Sequence, residues 1–394
     1  MAGTSEVLPW DLGVFDAHCH PTDTLASLQA IPGMRAKVLT VMATRSEDQH
    51  LVADAATRMG VVDTNSSSEE DFWSNEHKII PAFGWHPWFS HQIVDDSATS
   101  HSVAPTEDEK VAHYQRVLVP TPEDRDLLLS LPDLLSLSSF IEQTRHYLEQ
   151  HPLALVGEVG LDKSCRIPIP SSDEHQRNRA ADATPGGREG KRLTPHRVSM
   201  SHQQLVLIAQ LHLAGEMQRA VSCHGVQAHG VLFDTLASTW KGYERRKLSK
   251  RERKTQEVQP ANGSDGEGTT TGGEKPYPPR LCLHSFSGTA ETVKQYLVPS
   301  IPCDIYFSFS TTINGWSDDG QGKVETAVRA IPDDRILIES DMDCAGKDMD
   351  AHLEGVIRKI CSVKQWDLEA GVKQLGSNWM RFVGLSTSNG QATL

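Results

Sequence analysis

The feature that most constrains the fold of this chain is a series of short apolar runs, most of which are followed by a helical pattern. The runs occupy residues 14–20, 37–44, 79–87, 153–162, 219–225, 280–288, 305–310 and 335–341. Nearly continuous apolar runs are typical of parallel strands that are covered on both faces. Eight such strand–helix units predict an α/β fold, the (β/α)8 or TIM barrel.

Helical patterns between and after these runs cover residues 46–59, 131–151, 199–216, 230–241, 349–363 and 369–383. Two segments, 166–197 and 241–279, are poor in apolar residues, and we expect them to be long, disordered insertions. Residues 90–122 are also polar and are interpreted as an insertion or a long loop. We therefore predict one domain over residues 1–394, with a barrel core at about 14–385.

Bulk composition narrows the class of protein. The net charge of −14 argues against a broad basic face that coats nucleic acid, although metal ions at one site can still neutralise phosphate locally. The chain has seven cysteines, an odd number, and no C-x-x-C pair. This pattern favours a reducing compartment, cytoplasmic and/or nuclear. No apolar run approaches the roughly 20 residues that span a bilayer, and we expect no membrane association.

Polar residues lie at or near the carboxyl ends of the runs, where barrels of this kind carry their active sites. His18 and His20 are two apart, so they point to the same side of a strand and can share one divalent cation. Later runs contribute His86, Glu158, His224, His284 and Asp341. Each residue has an ordinary structural alternative, such as a satisfied polar side chain, a salt-bridge partner or a helix cap. All of these residues lie at or near the carboxyl ends of their runs. This shared position favours a functional site over the separate structural alternatives.

Apart from His86, these residues provide four imidazoles and two carboxylates, enough to bind two metal ions with one carboxylate bridging them. Two cations about 3.5–4 Å apart can clamp the attacking and leaving oxygens of a phosphoryl transfer. Asp341 can act both as a ligand and as the base that takes a proton from water. Nitrogen and oxygen ligands suit Zn²⁺, Mn²⁺, Fe²⁺ or Co²⁺, and a carboxylate-rich variant suits Mg²⁺.

The same stretches resemble the TatD-related metal-dependent deoxyribonucleases of the amidohydrolase superfamily. The matching stretches are Phe15-Asp16-Ala17-His18-Cys19-His20, Gly84-Trp85-His86-Pro87, Gly157-Glu158-Val159-Gly160-Leu161-Asp162, Cys223-His224, His284-Ser285-Phe286-Ser287-Gly288 and Glu339-Ser340-Asp341. The resemblance covers residues 14–385 apart from the two insertions. The insertions are similar to those of a eukaryotic, fungal branch in which some members are named as partners of cell-cycle proteins.

The resemblance implies a distorted (β/α)8 barrel that hydrolyses DNA phosphodiester bonds, often from the 3′ end, with two divalent metal ions. It implies that His18, His20, Glu158 and Asp341 hold one ion, and that Glu158, His224 and His284 hold the other. Asp341 and Glu158 would be the catalytic residues. His86 would bind the substrate phosphate.

Two departures from the family pattern concern the substrate more than the metal. Family members commonly follow the fifth-strand histidine with a small residue and an arginine, whereas His224 precedes Gly225 and Val226. Met342-Asp343 replaces the usual Ser-Pro after the last aspartate.

Two alternatives stay open. One is a non-nuclease hydrolase of the amidohydrolase type, in which many relatives place a carboxylated lysine where this chain has Glu158. The other is a barrel scaffold of low activity that binds a cell-cycle protein through the insertions. The basic run at 245–254 is interpreted as a solvated helix face or tail rather than as a path for DNA or a nuclear address.

Overall fold

The eight predicted strands form one parallel sheet in chain order. The computed structural model describes residues 6–61, 76–97, 105–170, 183–188, 190–246, 275–388 and 391–393. The strands are β1 (Phe15–Cys19), β2 (Val38–Met42), β3 (Ile79–Phe83), β4 (Leu155–Asp162), β5 (Val221–Val226), β6 (Arg280–Leu283), β7 (Asp304–Phe309) and β8 (Ile336–Ile338). The prediction of a (β/α)8 barrel is confirmed.

The barrel closes through residues that follow β8. The amide of Asp341 donates a hydrogen bond to the carbonyl of His18 at 3.0 Å, and the amide of His20 donates to Met342 at 2.8 Å. The buried Asp16 carboxylate accepts hydrogen bonds from the amide and hydroxyl of Ser340 at 3.0 and 2.5 Å. These contacts bring the first and last strands together beside two of the predicted ligands.

The register shifts at two places, between Asp16 and Cys19 on β1 and between Val156 and Val159 on β4. Irregularities of this kind redirect side chains and are common beside active sites. Both lie next to predicted ligands, so the barrel departs from ideal geometry beside the candidate site.

Helices connect and cover the strands. They are α1 (Ser46–Met59), α2 (Glu107–Val117), α3 (Arg125–Ser130), α4 (Leu137–Gln150), α5 (Met200–Glu216), α6 (His229–Thr239), α7 (Ala290–Tyr296), α8 (Lys323–Ala330), α9 (Lys347–Lys364) and α10 (Leu368–Val383). Every residue of β1 to β4 is buried, as expected for strands covered on both faces. Shorter 3-10 helices include Pro21–Asp23 after β1 and Pro87–Gln92 after β3.

The described residues of segment 90–122 contain regular structure, whereas the sequence analysis interpreted this segment as an insertion or a long loop. It contains α2, which begins with a capping box: the Thr106 hydroxyl accepts a hydrogen bond from the Glu109 amide at 3.3 Å, and the Glu109 carboxylate accepts from the Thr106 amide at 2.8 Å. The helix predicted at 131–151 begins only at Leu137, because Pro132 interrupts the chain between α3 and α4.

The described parts of the first insertion are hydrogen-bonded to one another. The amide of Ile167 donates to His196 at 2.9 Å, and that of Ile169 donates to Arg192 at 2.7 Å. Backbone hydrogen bonds therefore hold these described residues in place. Residues 171–182 and 189 of this insertion, and residues 247–274 of the second, lie outside the described ranges, as does most of the basic run.

Each of the described helices is too short or too polar to cross a membrane.

Candidate metal centre

The structure brings all seven predicted site residues together around the carboxylate of Glu158. This residue lies on β4 and is 3% exposed. Its Oε1 atom is 2.8 Å from His284 Nε2, 3.0 Å from His86 Nε2 and 3.0 Å from His224 Nδ1. Its Oε2 atom is 3.3 Å from His20 Nε2 and 3.4 Å from His18 Nε2. Each oxygen therefore faces a different set of imidazoles.

Asp341 completes the set on the Oε2 side. Its Oδ1 atom lies 3.5 Å from His20 Nε2 and 3.7 Å from His18 Nε2. The two imidazole nitrogens are themselves only 3.0 Å apart, so both are directed at the same point. Ligand-type atoms within 4.8 Å of one another include the sets His18–His20–Asp341 and His18–Glu158–His284. This is the donor chemistry that divalent transition metals prefer.

Contacts behind the cluster fix which ring nitrogen faces it. His18 Nδ1 is 2.8 Å from the hydroxyl of Ser222, which leaves Nε2 directed at the cluster. His224 Nε2 is 3.4 Å from Asp162 Oδ2, which leaves Nδ1 directed at Glu158. A polar partner on the far nitrogen is the usual support of a metal-binding imidazole.

Asp162 is a functional candidate that the sequence analysis quoted in a motif but did not assign. Its Oδ2 atom accepts a hydrogen bond from the Trp88 indole at 2.6 Å, and its Oδ1 atom accepts from the amides of Ser164 and Cys165 at 2.7 and 2.9 Å. Burial acts to raise its pKa, but His224 and these donors hold the pKa of Asp162 well below its usual value. The spacing in the sequence could have identified Asp162. Residues four apart on a strand point to the same side, and Asp162 follows Glu158 by four residues.

His86 has a different hydrogen-bonding pattern from the other histidines. Its Nδ1 atom accepts a hydrogen bond from the amide of Trp88 at 3.1 Å, so in the neutral ring the proton sits on Nε2 and is donated to Glu158. Burial lowers the pKa of His86 to about 4, so the ring is neutral at pH 7. A protonated nitrogen cannot bind a cation. His86 is therefore arranged as a hydrogen-bond donor at the edge of the cluster.

The electrostatics of the cluster favour bound cations. Burial raises the pKa of Glu158, but the imidazoles of His86, His284 and His18 outweigh it, and the pKa lies well below its usual value. Burial lowers the pKa of His20, but the carboxylates of Asp341 and Glu158 outweigh it, and the pKa is raised overall. Two ionised carboxylates in a buried site need positive charge nearby. Divalent ions would meet this need, so the residues fit a metal centre.

A second unassigned residue, Glu339, lies behind His284. Its Oε1 atom accepts hydrogen bonds from the amide and hydroxyl of Ser285 at 2.6 and 2.5 Å, and its Oε2 atom accepts from Ser308. His284 Nδ1 is 3.7 Å from Oε1 and has no hydrogen-bond partner among the described residues. Glu339 is the carboxylate best placed to fix the orientation of this ring.

A barrel that gathers imidazoles and carboxylates at the carboxyl ends of its strands defines a hydrolase of the amidohydrolase type. The family model described as TatD related DNase matches residues 15–384. The chain therefore belongs to the TatD-related DNase family, whose members depend on metal ions.

Two relatives agree with this assignment, and a solved structure shares the fold. The chain is 34% identical to the Cut9-interacting protein scn1 of Schizosaccharomyces pombe, over 94% of this chain and 98% of that protein. It is 27% identical to an uncharacterized deoxyribonuclease of Saccharomyces cerevisiae, over 83% of this chain and 82% of that protein. A TatD homologue from Escherichia coli K12 shares the fold with a TM-score of 0.50 at 17% identity, covering 94% of this chain and 97% of that one.

Proposed function

We propose that this protein is a metal-dependent deoxyribonuclease that hydrolyses DNA phosphodiester bonds and acts as a 3′–5′ exonuclease. The observation that carries the proposal is the position of Glu158, whose two oxygens face separate groups of imidazoles. A carboxylate in this position can bridge two ions. One ion would be held by His18, His20, Glu158 and Asp341, and the other by Glu158, His224 and His284.

Bound divalent ions would neutralise the substrate phosphate and lower the pKa of water to roughly 7. The chain itself would supply proton transfer and positioning. The Asp341 carboxylate, kept ionised because the surrounding histidines lower its pKa against the effect of burial, would take the proton of the attacking water. The Nε2–H group of His86 would donate a hydrogen bond to a phosphate oxygen. Family membership and the donor set support this assignment.

The test measures metal content and cleavage of a 5′-labelled single-stranded oligonucleotide in Mg²⁺, Mn²⁺ or Zn²⁺. Wild type is compared with Glu158→Ala and Asp341→Ala, and with Glu149→Ala on the exposed face of α4 as a matched loss of one carboxylate. We expect wild type and Glu149→Ala to give a ladder of shortened labelled products, and both site variants to give none. Immediate release of labelled mononucleotide would contradict the 3′–5′ direction.

Bound metal without cleavage of DNA would favour the alternative, a hydrolase of the amidohydrolase type that acts on another ester or amide. Glu158 on the fourth strand, in place of a carboxylated lysine, favours the nuclease.

A second candidate function is the binding of a protein partner. It is supported by the 34% identity to a yeast protein named for its interaction with Cut9. Deletion of residues 247–274 should then abolish capture of that partner while oligonucleotide cleavage continues. Loss of cleavage with the interaction intact would refute this role. We further propose a cytoplasmic and/or nuclear location, to be checked by imaging of the tagged full chain.

A further inference from the structure

The first insertion passes beside the metal centre. Its described residues Ala183–Arg188, here called the strap, contact the loops that follow β1 and β2. The amide of Thr184 donates to the carbonyl of Asp23 at 3.0 Å, and its hydroxyl donates to the carbonyl of Thr22. Arg45 Nε donates to the carbonyl of Pro185 at 2.9 Å. The strap is therefore held at the carboxyl-end mouth of the barrel.

The strap requires glycine where it passes Arg45. Gly186 has φ +86°, a conformation that side-chain-bearing residues rarely adopt. A Cβ atom at this position would lie 2.8 Å from the carboxyl carbon of Glu47 and 2.9 Å from Arg45 Nε. An alanine would therefore push the strap away from the barrel.

Arg188 of the strap stacks on the ring of Trp88, with its guanidinium carbon 4.2 Å from the ring centroid. Trp88 is itself fixed, because its indole donates to Asp162 at 2.6 Å and its ring contacts His86 edge-on at 4.5 Å. Stacking occupies the face of a guanidinium and leaves its N–H edge available for an anion. Only one side chain thus separates Arg188 from Asp162 and the metal centre.

The Arg188 guanidinium is not neutralised by its described surroundings. One Nη donates to the carbonyl of Arg166 at 2.9 Å, while the buried Nε has no acceptor among the described residues. Nor does any ion pair within the described ranges involve Arg188, whereas Arg45 pairs with both Asp23 and Asp48. The strand that carries His224 continues with Gly225 and Val226 and supplies no cation of its own.

We propose that Arg188 is a substrate-binding residue that holds a phosphate of a polynucleotide next to the phosphate that is hydrolysed. A position one side chain away from the metal centre suits a flanking phosphate, and a planar guanidinium suits its oxygens. The strap thereby selects polynucleotides over small phosphodiesters. This assignment rests on the proposed nuclease function.

The test compares two substrates: a single-stranded oligonucleotide and bis(4-nitrophenyl) phosphate, which has no flanking phosphate. The variants are Arg188→Gln, Arg188→Lys and, as matched control, Arg192→Gln, which removes an exposed charge from the same insertion. The ratio of kcat/KM for the oligonucleotide to that for the small ester should fall roughly 10- to 100-fold in Arg188→Gln, the effect of one charge-assisted hydrogen bond. It should fall less in Arg188→Lys and stay constant in Arg192→Gln.

Salt dependence gives a second readout that a purely structural role would not move. The slope of log(kcat/KM) against log salt for the oligonucleotide should lose about 0.7 in Arg188→Gln, the value for one contact to a single strand. Gly186→Ala displaces the strap. Like Arg188→Gln, it should lower the ratio of kcat/KM for the oligonucleotide to kcat/KM for the small ester. Metal content and melting temperature confirm that each variant is folded.

Equal effects of Arg188→Gln and Arg192→Gln, or no change in ratio and slope, would overturn the assignment while the nuclease function stands. Hydrolysis of the small ester by wild type without any oligonucleotide cleavage would overturn the nuclease function and this assignment together.

Discussion

Ser222 offers a test of how the barrel positions a predicted metal ligand, His18. The hydroxyl of Ser222 is 2.8 Å from His18 Nδ1, and the two residues are 1% and 0% exposed. When Nε2 binds an ion, the proton of the neutral imidazole must sit on Nδ1, so this nitrogen must donate. Ser222→Ala removes the acceptor, and its burial leaves no route for bulk water to replace it.

The expected loss follows from this burial. A buried donor without a partner costs about 1–3 kcal/mol. In the metal-free chain His18 can move its proton to Nε2 and avoid most of that cost, whereas in the metal-bound chain it cannot. The cost therefore falls on metal binding. Since about 1.4 kcal/mol changes a dissociation constant tenfold, the affinity for the ion that His18 binds should fall by roughly 5- to 150-fold. Loss of the outer partner of a metal-binding histidine typically costs about 10- to 100-fold.

The assay is competitive titration of chelator-stripped protein with Mn²⁺ or Zn²⁺ against a chromophoric chelator. Ser310→Ala is the matched control, because Ser310 is also fully buried in the barrel but its hydroxyl accepts from the amide of Ile313 at 3.1 Å and touches no predicted ligand. We expect weaker binding only in Ser222→Ala. A Kd within about threefold of wild type, or the same loss in Ser310→Ala, would refute the reasoning.

Three further predictions concern charge and burial. Arg45→Met breaks a buried ion-pair network, and urea unfolding should show a loss of about 3–5 kcal/mol; a loss below about 1 kcal/mol would contradict this. Burial lowers the pKa of His91 to about 3 and of His113 to about 4, so these rings favour folding above pH 6.5, and this stability falls as the pH drops towards those values. These two rings should together contribute a loss of roughly 2–4 kcal/mol between pH 7 and 5, so chelator-treated His113→Gln should lose less stability over this range than wild type; the same change in both proteins would exclude this. Glu158→Ala should lose both ions and Asp341→Ala only one in metal analysis; equal stoichiometry would argue against a bridging Glu158.

The barrel could be predicted from the sequence because its strands are buried on both faces and so appear as continuous apolar runs. The site could be predicted for a related reason. A charged or imidazole side chain inside such a run, like Glu158 between Gly157 and Val159, is costly to bury unless it binds something. Because parallel strands end at one edge, such residues from distant parts of the chain converge.

Helix α2 shows why other elements were missed. Its N-terminal cap can be recognised in the sequence, because Thr106 and Glu109 have the spacing of a capping box. Its polar composition, however, is typical of a loop. The helix packs through Val111, Tyr114 and Val117 against Leu128 and against Ile167 and Val198 of the first insertion and its flank. Most of its stability comes from such tertiary packing, and local sequence patterns do not contain the identity of a distant partner.

The supporting residues of the metal centre were missed for the same reason. Strand periodicity places Ser222 on the same side of β5 as His224, two residues later. That periodicity does not say that Ser222 meets His18 on β1, because this contact depends on barrel closure and on the size of each side chain inside. Asp162 likewise gains its role only when β5 pairs beside β4 and brings His224 within reach.

The division between barrel and strap separates metal chemistry from substrate selection. Predicted ligands such as His18 and Glu158 lie on hydrogen-bonded strands, whose geometry is fixed by neighbouring strands. The strap contacts segments that follow the strands, through Thr184, Pro185 and Arg188, and not the barrel strands themselves. Displacing it would break these few contacts and leave the strand pairing intact, so metal affinity should survive changes that alter substrate choice. An insertion can therefore change what such a barrel binds at little cost to its metal centre, because loop contacts and strand contacts are energetically separate.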